Sequence, residues 1–305
     1  MKSRKSRNTA KSPKIYAGRF APSPTGPLHL GSLICALASF LDARHNSGSW
    51  VLRMEDLDPP REIPGSAQSI LNSLLAHGLS WDGEVLWQSQ RHEAYAVAIQ
   101  KLFDTGYAFR CDCSRAQLAT QGAVYPGHCR SHPPAAEAIS AIRVKAQRES
   151  PIVIADRLQP ALHQDLQDEV GDFVVQRKDG LYAYQLAVVI DDEYQGITQV
   201  LRGSDLYDST PRQVYLQEVL NLPTPGYAHI PVITNPAGQK LSKQTHAVAL
   251  NNSDALQNLR LALRFLGQAV HADANNIDHL LRSAIDSWQL QAVPARAGIP
   301  ETALY

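Results

Sequence analysis

Residues Pro22-Ser-Pro-Thr-Gly-Pro27 place three prolines and a glycine within six positions, and the pattern of apolar residues changes period across them. Before this turn, Lys14-Ile-Tyr-Ala-Gly-Arg-Phe20 alternates as a strand does; after it, Leu30, Leu33, Ile34, Leu37 and Leu41 recur at helical spacing. A second short strand is expected at 49–54, closed by Pro59-Pro60. Strand, rigid turn, helix, strand is the opening of a parallel sheet, so the chain is expected to be an α/β protein with a Rossmann-like parallel sheet.

Helices are expected near 66–77 and 91–105, and the character of the chain changes from Cys111, where Pro126, Gly127, Pro133 and Pro134 suggest an insertion. Strand-like runs return at 172–176, 187–190, 196–201 and 229–234, with a helix near 211–220. From Ser253, Leu256, Leu259, Leu263 and Leu266, then Ile277, Leu280, Leu281 and Ile285, predict two short amphipathic helices and a loose end. The expected organisation is a disordered basic arm (1–14), a first catalytic half (15–110), an insertion (111–170), a second half (171–250) and a short helical C-terminal segment (251–305).

With 29 Lys+Arg against 29 Asp+Glu the formal net charge is zero, which argues against nucleic-acid binding by bulk charge but allows a local patch. No apolar stretch approaches the ~20 residues that span a bilayer. The first fourteen residues are basic without an acid and lead into no apolar segment, so they read as an arm and not as a signal peptide. Four cysteines are too few for a disulfide scaffold at this length. A soluble cytoplasmic protein is expected.

The turn from 22 to 32 sits where a parallel sheet presents helix N-terminal N–H groups to phosphate. It contains no Gly-x-Gly-x-x-Gly, and Gly26-x-x-x-x-Gly31 is followed by Ser32, so neither a dinucleotide fingerprint nor a P-loop is present. What it offers is His29 in the first helical turn and Gly31, where a ring or phosphate can approach the backbone. Far along the chain, Lys240-Leu-Ser-Lys-Gln244 follows the turn Asn235-Pro-Ala-Gly238; two lysines and a hydroxyl on one loop can clamp a polyphosphate. A third cluster, Cys111-Asp-Cys113 and Tyr125-Pro-Gly-His-Cys129, offers three thiolates that need a fourth N or O donor to close a tetrahedral structural zinc site. Chemistry alone names His128 as that donor.

The early His-x-Gly and the late Lys-Leu-Ser-Lys resemble the two signature motifs of class I aminoacyl-tRNA synthetases. Arg19-Phe-Ala-Pro-Ser-Pro-Thr-Gly26, Arg53-Met-Glu-Asp-Leu-Asp58, Tyr184-Gln-Leu-Ala187 with Asp191-Asp192, and Leu201-Arg-Gly203 resemble the catalytic core of glutamyl-tRNA synthetases. Only residues 245–305 follow the lysine loop, too few for the anticodon-binding portion of those enzymes. With Asp58-Pro-Pro-Arg-Glu62 and Trp87-Gln-Ser-Gln-Arg91, the overall pattern is similar to their truncated paralogues, the glutamyl-queuosine tRNA(Asp) synthetases.

This resemblance implies activation of L-glutamate by ATP without tRNA, then transfer to the queuosine base at the wobble position of tRNA(Asp), with the anticodon stem-loop as the docking partner. Arg19, with Arg202 as a second candidate, would pair with a substrate carboxylate; Phe20, Ala21, Pro22 and Ser23 would line that site. Glu55 would hold the α-ammonium and Tyr184 would add a hydrogen bond. His29, Gly31 and Lys243 would bind ATP, with His29, Lys240, Ser242 and Lys243 carrying catalysis and Mg²⁺ accompanying ATP. The resemblance points to Tyr125, beside Cys111, Cys113 and Cys129, as the fourth zinc ligand. It also places Val188 where an Asn usually contacts glutamate, so weaker glutamate affinity is expected; a monomer is expected. Two other readings are a fragment that charges a tRNA 3′ end with a partner, and a non-catalytic tRNA-binding module.

Overall fold

In the computed structural model, residues 15–119, 122, 124–235, 238–241 and 248–304 are described; the expected basic arm lies outside them. Strand β1 (Ala17–Phe20) runs into the proline turn and then α1 (Leu30–His45), and β2 (Ser49–Met54) returns parallel to β1, Phe20 facing Leu52. After α2 (Ser66–Ala76), β3 (Leu86–Trp87) joins β2 in parallel and α3 (His92–Asp104) follows.

The insertion opens with β4 (Ala108–Cys111), passes α4 (Arg115–Ala119), α5 (His128–Ser131) and β5 (Ala141–Val144), then the antiparallel pair β6 (Ile152–Ile154) and β7 (Leu162–Gln164). Helix α6 (Leu166–Glu169) leads to β8 (Phe173–Gln176). Strands β4, β5 and β8 form one antiparallel sheet, in that order. The run at 172–176, read from sequence as the parallel sheet resuming, therefore closes the insertion's own sheet; alternation identifies a strand but not its partner.

Helix α7 (Tyr184–Tyr194) takes up the run 187–190 that reads as a strand. Leu186, Ala187, Val188 and Val189 are all buried, and a buried helix shows the same unbroken apolar run as a buried strand. Next come β9 (Gln199–Gly203), α8 (Thr210–Val219) and β10 (Gly226–Ile230), which is parallel to β9. Pro231, which has no N–H for a ladder, separates β10 from β11 (Val232–Thr234). Helices α9 (Ala255–Phe265) and α10 (Ile277–Ser287) follow, and the end that reads as loose returns as β12 (Gly298–Pro300), parallel to β11.

Strand β9 lies beside β1, tied by the Thr198 N–H to the Ala17 carbonyl over 2.9 Å. Side chains of the parallel strands alternate between two cores: Trp50, Leu52, Leu201, Ala228 and Ile230 face α1, α9 and α10, while Val51, Val200 and Tyr227 face α3, α7 and α8. The sheet is thus covered on both faces, as parallel sheets require. Each fully buried Leu or Trp contributes roughly 1.5–3 kcal/mol of transfer free energy, so the two cores hold the strand ends rigidly. Among the described residues, no helix is long and apolar enough to cross a membrane.

Candidate active site

The chain leaves β1 toward β2 and β3 on one side, while β9 and β10 lie on the other, so the carboxyl ends of β1 and β9 flank the point where strand order reverses. Such a point leaves a crevice for a ligand. A cavity of about 350 Å³ opens there. Arg19, Phe20, Ala21, Pro22 and Ser23 reach it from β1 and its turn, and His29 and Gly31 from the start of α1. Glu55, Tyr184, Arg202 and Lys240 line it too. Ser242 and Lys243 lie outside the described residues.

The proline turn is held from the far side: the Glu55 N–H donates to the Pro22 carbonyl and the Ile63 N–H to the Pro24 carbonyl, at 2.9 and 3.0 Å. These bonds fix the end of β2 against the turn and bring Glu55 into the cavity. His29 is the N-cap of α1, its Nδ1 accepting the Ser32 N–H at 3.3 Å. A neutral ring in this pose carries its proton on Nε2. A Cβ on Gly31 would stand 3.1 Å from His29 Cε1, so the glycine leaves room for the ring over the first turn.

Arg19 and Arg53 converge on one carboxylate. Arg19 Nε lies 3.1 Å and Arg53 Nη2 2.5 Å from Asp192 Oδ1, and all three side chains are at most 6% exposed. Burial pushes Asp192 up, but the two guanidinium groups outweigh it and hold the carboxyl below its usual range. The neighbouring Asp191 accepts from Gln88, Arg91 and Tyr95, so the Asp-Asp pair at the end of α7 ties that helix to β1, β2 and α3. Glu55 behaves differently: burial pushes its pKa up to about 7, and Asp192 and Asp191 add to the rise, against the pull of Arg53 and Arg19.

On the opposite wall, Lys240 Nζ lies 2.6 Å from Asp205 Oδ2. The Lys240 backbone bridges Thr234, and the Leu241 N–H donates to the Ile233 carbonyl at 2.8 Å. Beyond residues 242–247 the chain is anchored again, by the bridge between Ala249 and His29 and the Leu250 N–H to the Leu28 carbonyl at 2.9 Å. The start of α1 and the chain at 249–250, far apart in sequence, are therefore joined through backbone bonds.

Val188 is buried in the second core and is not among the residues that line the cavity. Sequence reasoning singled out neither Asp205 nor Cys35, both of which line the cavity, and it quoted Asp192 without a role. The available signal for Asp205 was its place two residues past the Leu201-Arg-Gly203 block.

The cysteine cluster is a separate centre. The sulfurs of Cys111, Cys113 and Cys129 lie within 4.8 Å of one another, Cys113 and Cys129 at 3.4 Å. The Tyr125 hydroxyl lies 3.6 Å from Cys111 Sγ and 3.9 Å from Cys113 Sγ, and accepts the Cys129 N–H at 2.9 Å. A tetrahedral zinc ion with bonds near 2.3 Å to sulfur and 2.0 Å to oxygen requires S···S of about 3.8 Å and S···O of about 3.5 Å, so this donor set fits the metal. Gly127, at φ +81°, turns the chain back to bring Cys129 home. His128, the donor that chemistry alone would choose, is exposed and stacked on His132 with ring centroids 4.9 Å apart.

Comparison with known proteins gives a consistent picture. The family described as tRNA synthetases class I (E and Q), catalytic domain, matches residues 17–280. The chain is 50% identical over 294 residues to the glutamyl-Q tRNA(Asp) synthetase of Pseudomonas putida (strain W619), covering 95% of this chain and 98% of that protein. It is 50% identical over 287 residues to the protein of the same name from Chromobacterium violaceum, covering 92% and 96%. Among solved structures, the glutamate-tRNA synthetase of Elizabethkingia anophelis superposes with a TM-score of 0.81 at 25% identity, covering 95% of this chain and 69% of that one.

Proposed function

The chain belongs to the glutamyl-Q tRNA(Asp) synthetases, within the class I tRNA synthetase (E and Q) family, and from that membership we infer that it glutamylates queuosine in tRNA(Asp). Glutamate is first activated by ATP without tRNA; the glutamyl group then passes from the adenylate to the queuosine base, and AMP leaves. The observation that carries this reading is one cavity that gathers an arginine, an acid, a tyrosine, the helix-capping His29 and Lys240. A non-catalytic tRNA-binding module gives no reason for that convergence.

In the activation step an oxygen of the glutamate α-carboxylate attacks the α-phosphorus in line and pyrophosphate departs. The nucleophile is already ionised, so no base is needed and charge stabilisation carries the rate. Arg19 takes a substrate carboxylate, since the Asp192 contact engages its Nε and fixes the plane of its fork. Glu55 accepts the α-ammonium, and Tyr184 donates a hydrogen bond. Phe20, Ala21, Pro22 and Ser23 shape the floor. His29 donates from Nε2 to a phosphate oxygen, where the N-terminal dipole of α1 also favours negative charge and Gly31 keeps the backbone accessible. Lys240, with Ser242 and Lys243, draws off the charge that gathers on pyrophosphate, a task that Mg²⁺ bound with ATP would share.

Cys111, Cys113, Cys129 and Tyr125 would hold a zinc ion, which would supply structure to the insertion that meets the anticodon stem-loop. Glutamate-dependent ATP–pyrophosphate exchange in the absence of RNA tests the proposal: exchange is expected, and no exchange with glutamate would overturn tRNA-independent activation.

A further inference from the structure

Behind the glutamate wall of the cavity lies a buried chain of four side chains from four separate stretches of sequence. Asp156 sits on the segment leaving β6, His229 on β10, Arg202 on β9 and Tyr184 at the start of α7. Asp156 Oδ2 is 2.6 Å from His229 Nδ1, both side chains fully sealed from solvent. His229 Nε2 is 3.0 Å from Arg202 Nε, and Arg202 Nη1 is 3.3 Å from the Tyr184 hydroxyl.

The direction of every bond follows from one fact: a guanidinium only donates. His229 Nε2 must therefore accept from Arg202, which leaves the ring proton on Nδ1, where Asp156 accepts it. Burial and the Arg202 charge push the imidazole pKa down against the pull of Asp156, so the ring is neutral as this arrangement requires. Asp156 is itself pinned, its Oδ1 accepting the N–H groups of Leu158, Gln159 and His229 at 2.9, 2.8 and 3.2 Å. Arg202 has a partner for each of its five N–H groups: beyond His229 and Tyr184, it donates to Gln213, Leu206 and Thr210 at 2.8, 3.3 and 2.9 Å. At the far end the Tyr184 oxygen accepts from Arg202, and its own proton is left to be donated.

We propose that Asp156 and His229 are positioning residues for glutamate recognition: they lock one imidazole tautomer, which aims Arg202, which in turn makes Tyr184 a hydrogen-bond donor toward the substrate carboxylate. This rests on the assignment of the cavity to glutamate. A carboxylate that holds a histidine in one tautomer is an economical way to orient a charged group without exposing it. Replacing Asp156 with Asn puts an N–H opposite Nδ1, moves the ring proton to Nε2 and sets it against the Arg202 Nε–H. His229→Gln keeps the chain's direction, its carbonyl accepting from Arg202 and its amide donating to Asp156; His229→Phe keeps the ring and removes both bonds.

Long-range ¹H–¹⁵N spectra of the unliganded wild-type chain read the tautomer directly: a proton on Nδ1 with bare Nε2 is expected, and a proton on Nε2 overturns the proposal. Glutamate-dependent ATP–pyrophosphate exchange reads the consequence. Asp156→Asn and His229→Phe are expected to raise the glutamate KM about tenfold or more, the cost of misaiming a charge-assisted hydrogen bond, with the ATP KM held within about twofold. His229→Gln is expected to recover most of that loss. Glutamate KM values equal to wild type in Asp156→Asn and His229→Phe overturn the proposal, as does an equal rise in both KM values. Failure of the functional reading is separately visible as absence of exchange in the wild type, and a variant that does not fold leaves the wild-type tautomer to decide.

Discussion

Arg19 Nε donates to Asp192 Oδ1 over 3.1 Å, between two side chains that are 4% and 6% exposed. The same oxygen accepts from Arg53, whose side chain is fully buried. One carboxylate thus pairs with two nearly sealed cations, and the positive charge left over stands at the cavity that Arg19 lines. Asp192→Ala strands both, and breaking a buried pair from one side costs about 3–5 kcal/mol. Chemical denaturation is expected to show a loss of that size; a loss below about 1 kcal/mol contradicts the assignment.

Glu55 sets a pH dependence whose sign is fixed by its raised pKa. Above about pH 7 the group is ionised and, in the proposed role, would accept the α-ammonium; below it, a proton occupies the same oxygens. The kcat/KM for glutamate in pyrophosphate exchange is expected to fall about tenfold per pH unit below this point. A profile that stays flat down to pH 5.5 contradicts the role.

Lys240 rests on Asp205 at 2.6 Å and faces the same cavity as His29. If its charge serves the departing pyrophosphate as proposed, Lys240→Ala is expected to lower kcat roughly 10²-fold while changing the glutamate KM little, the magnitude typical of removing one transition-state charge partner. A variant whose glutamate KM rises while kcat holds would move Lys240 from the phosphate side to the amino-acid side.

The cysteine centre predicts one zinc per chain. Cys129→Ser is expected to abolish it, Tyr125→Phe to weaken it, and His128→Ala to leave zinc content unchanged, as His128 points away to His132. The core here is small, Phe109 with Cys111, Tyr125 and Cys129, so chelation should open this region alone. Limited proteolysis after chelation is expected to cut between residues 111 and 172; cleavage spread evenly over the chain contradicts a local structural role.

Much of this was legible in sequence where the signal is local. The turn at 22–27 and the periodicity after it located β1 and α1, and strand β2 falls at Ser49–Met54 as read. Local signals also misled. The run at 187–190 is β-branched and apolar because α7 is buried on several sides, and the strand at 172–176 gave no hint that its partner is β5. The motif residues Arg19, His29, Glu55, Tyr184, Arg202 and Lys240 do meet in one cavity. The network behind them was invisible, because Asp156 and His229 are 73 positions apart and carry no spacing signature.

Where the glutamate ends up separates glutamylation of the wobble base from charging of the 3′ end. Labelled glutamate is transferred to queuosine-containing tRNA(Asp), and the terminal 3′ adenosine is then removed. The label is expected to stay with the trimmed RNA, because it is attached to the wobble base. Label lost with the adenosine would mean that this chain charges the 3′ end and would contradict glutamylation of the wobble base.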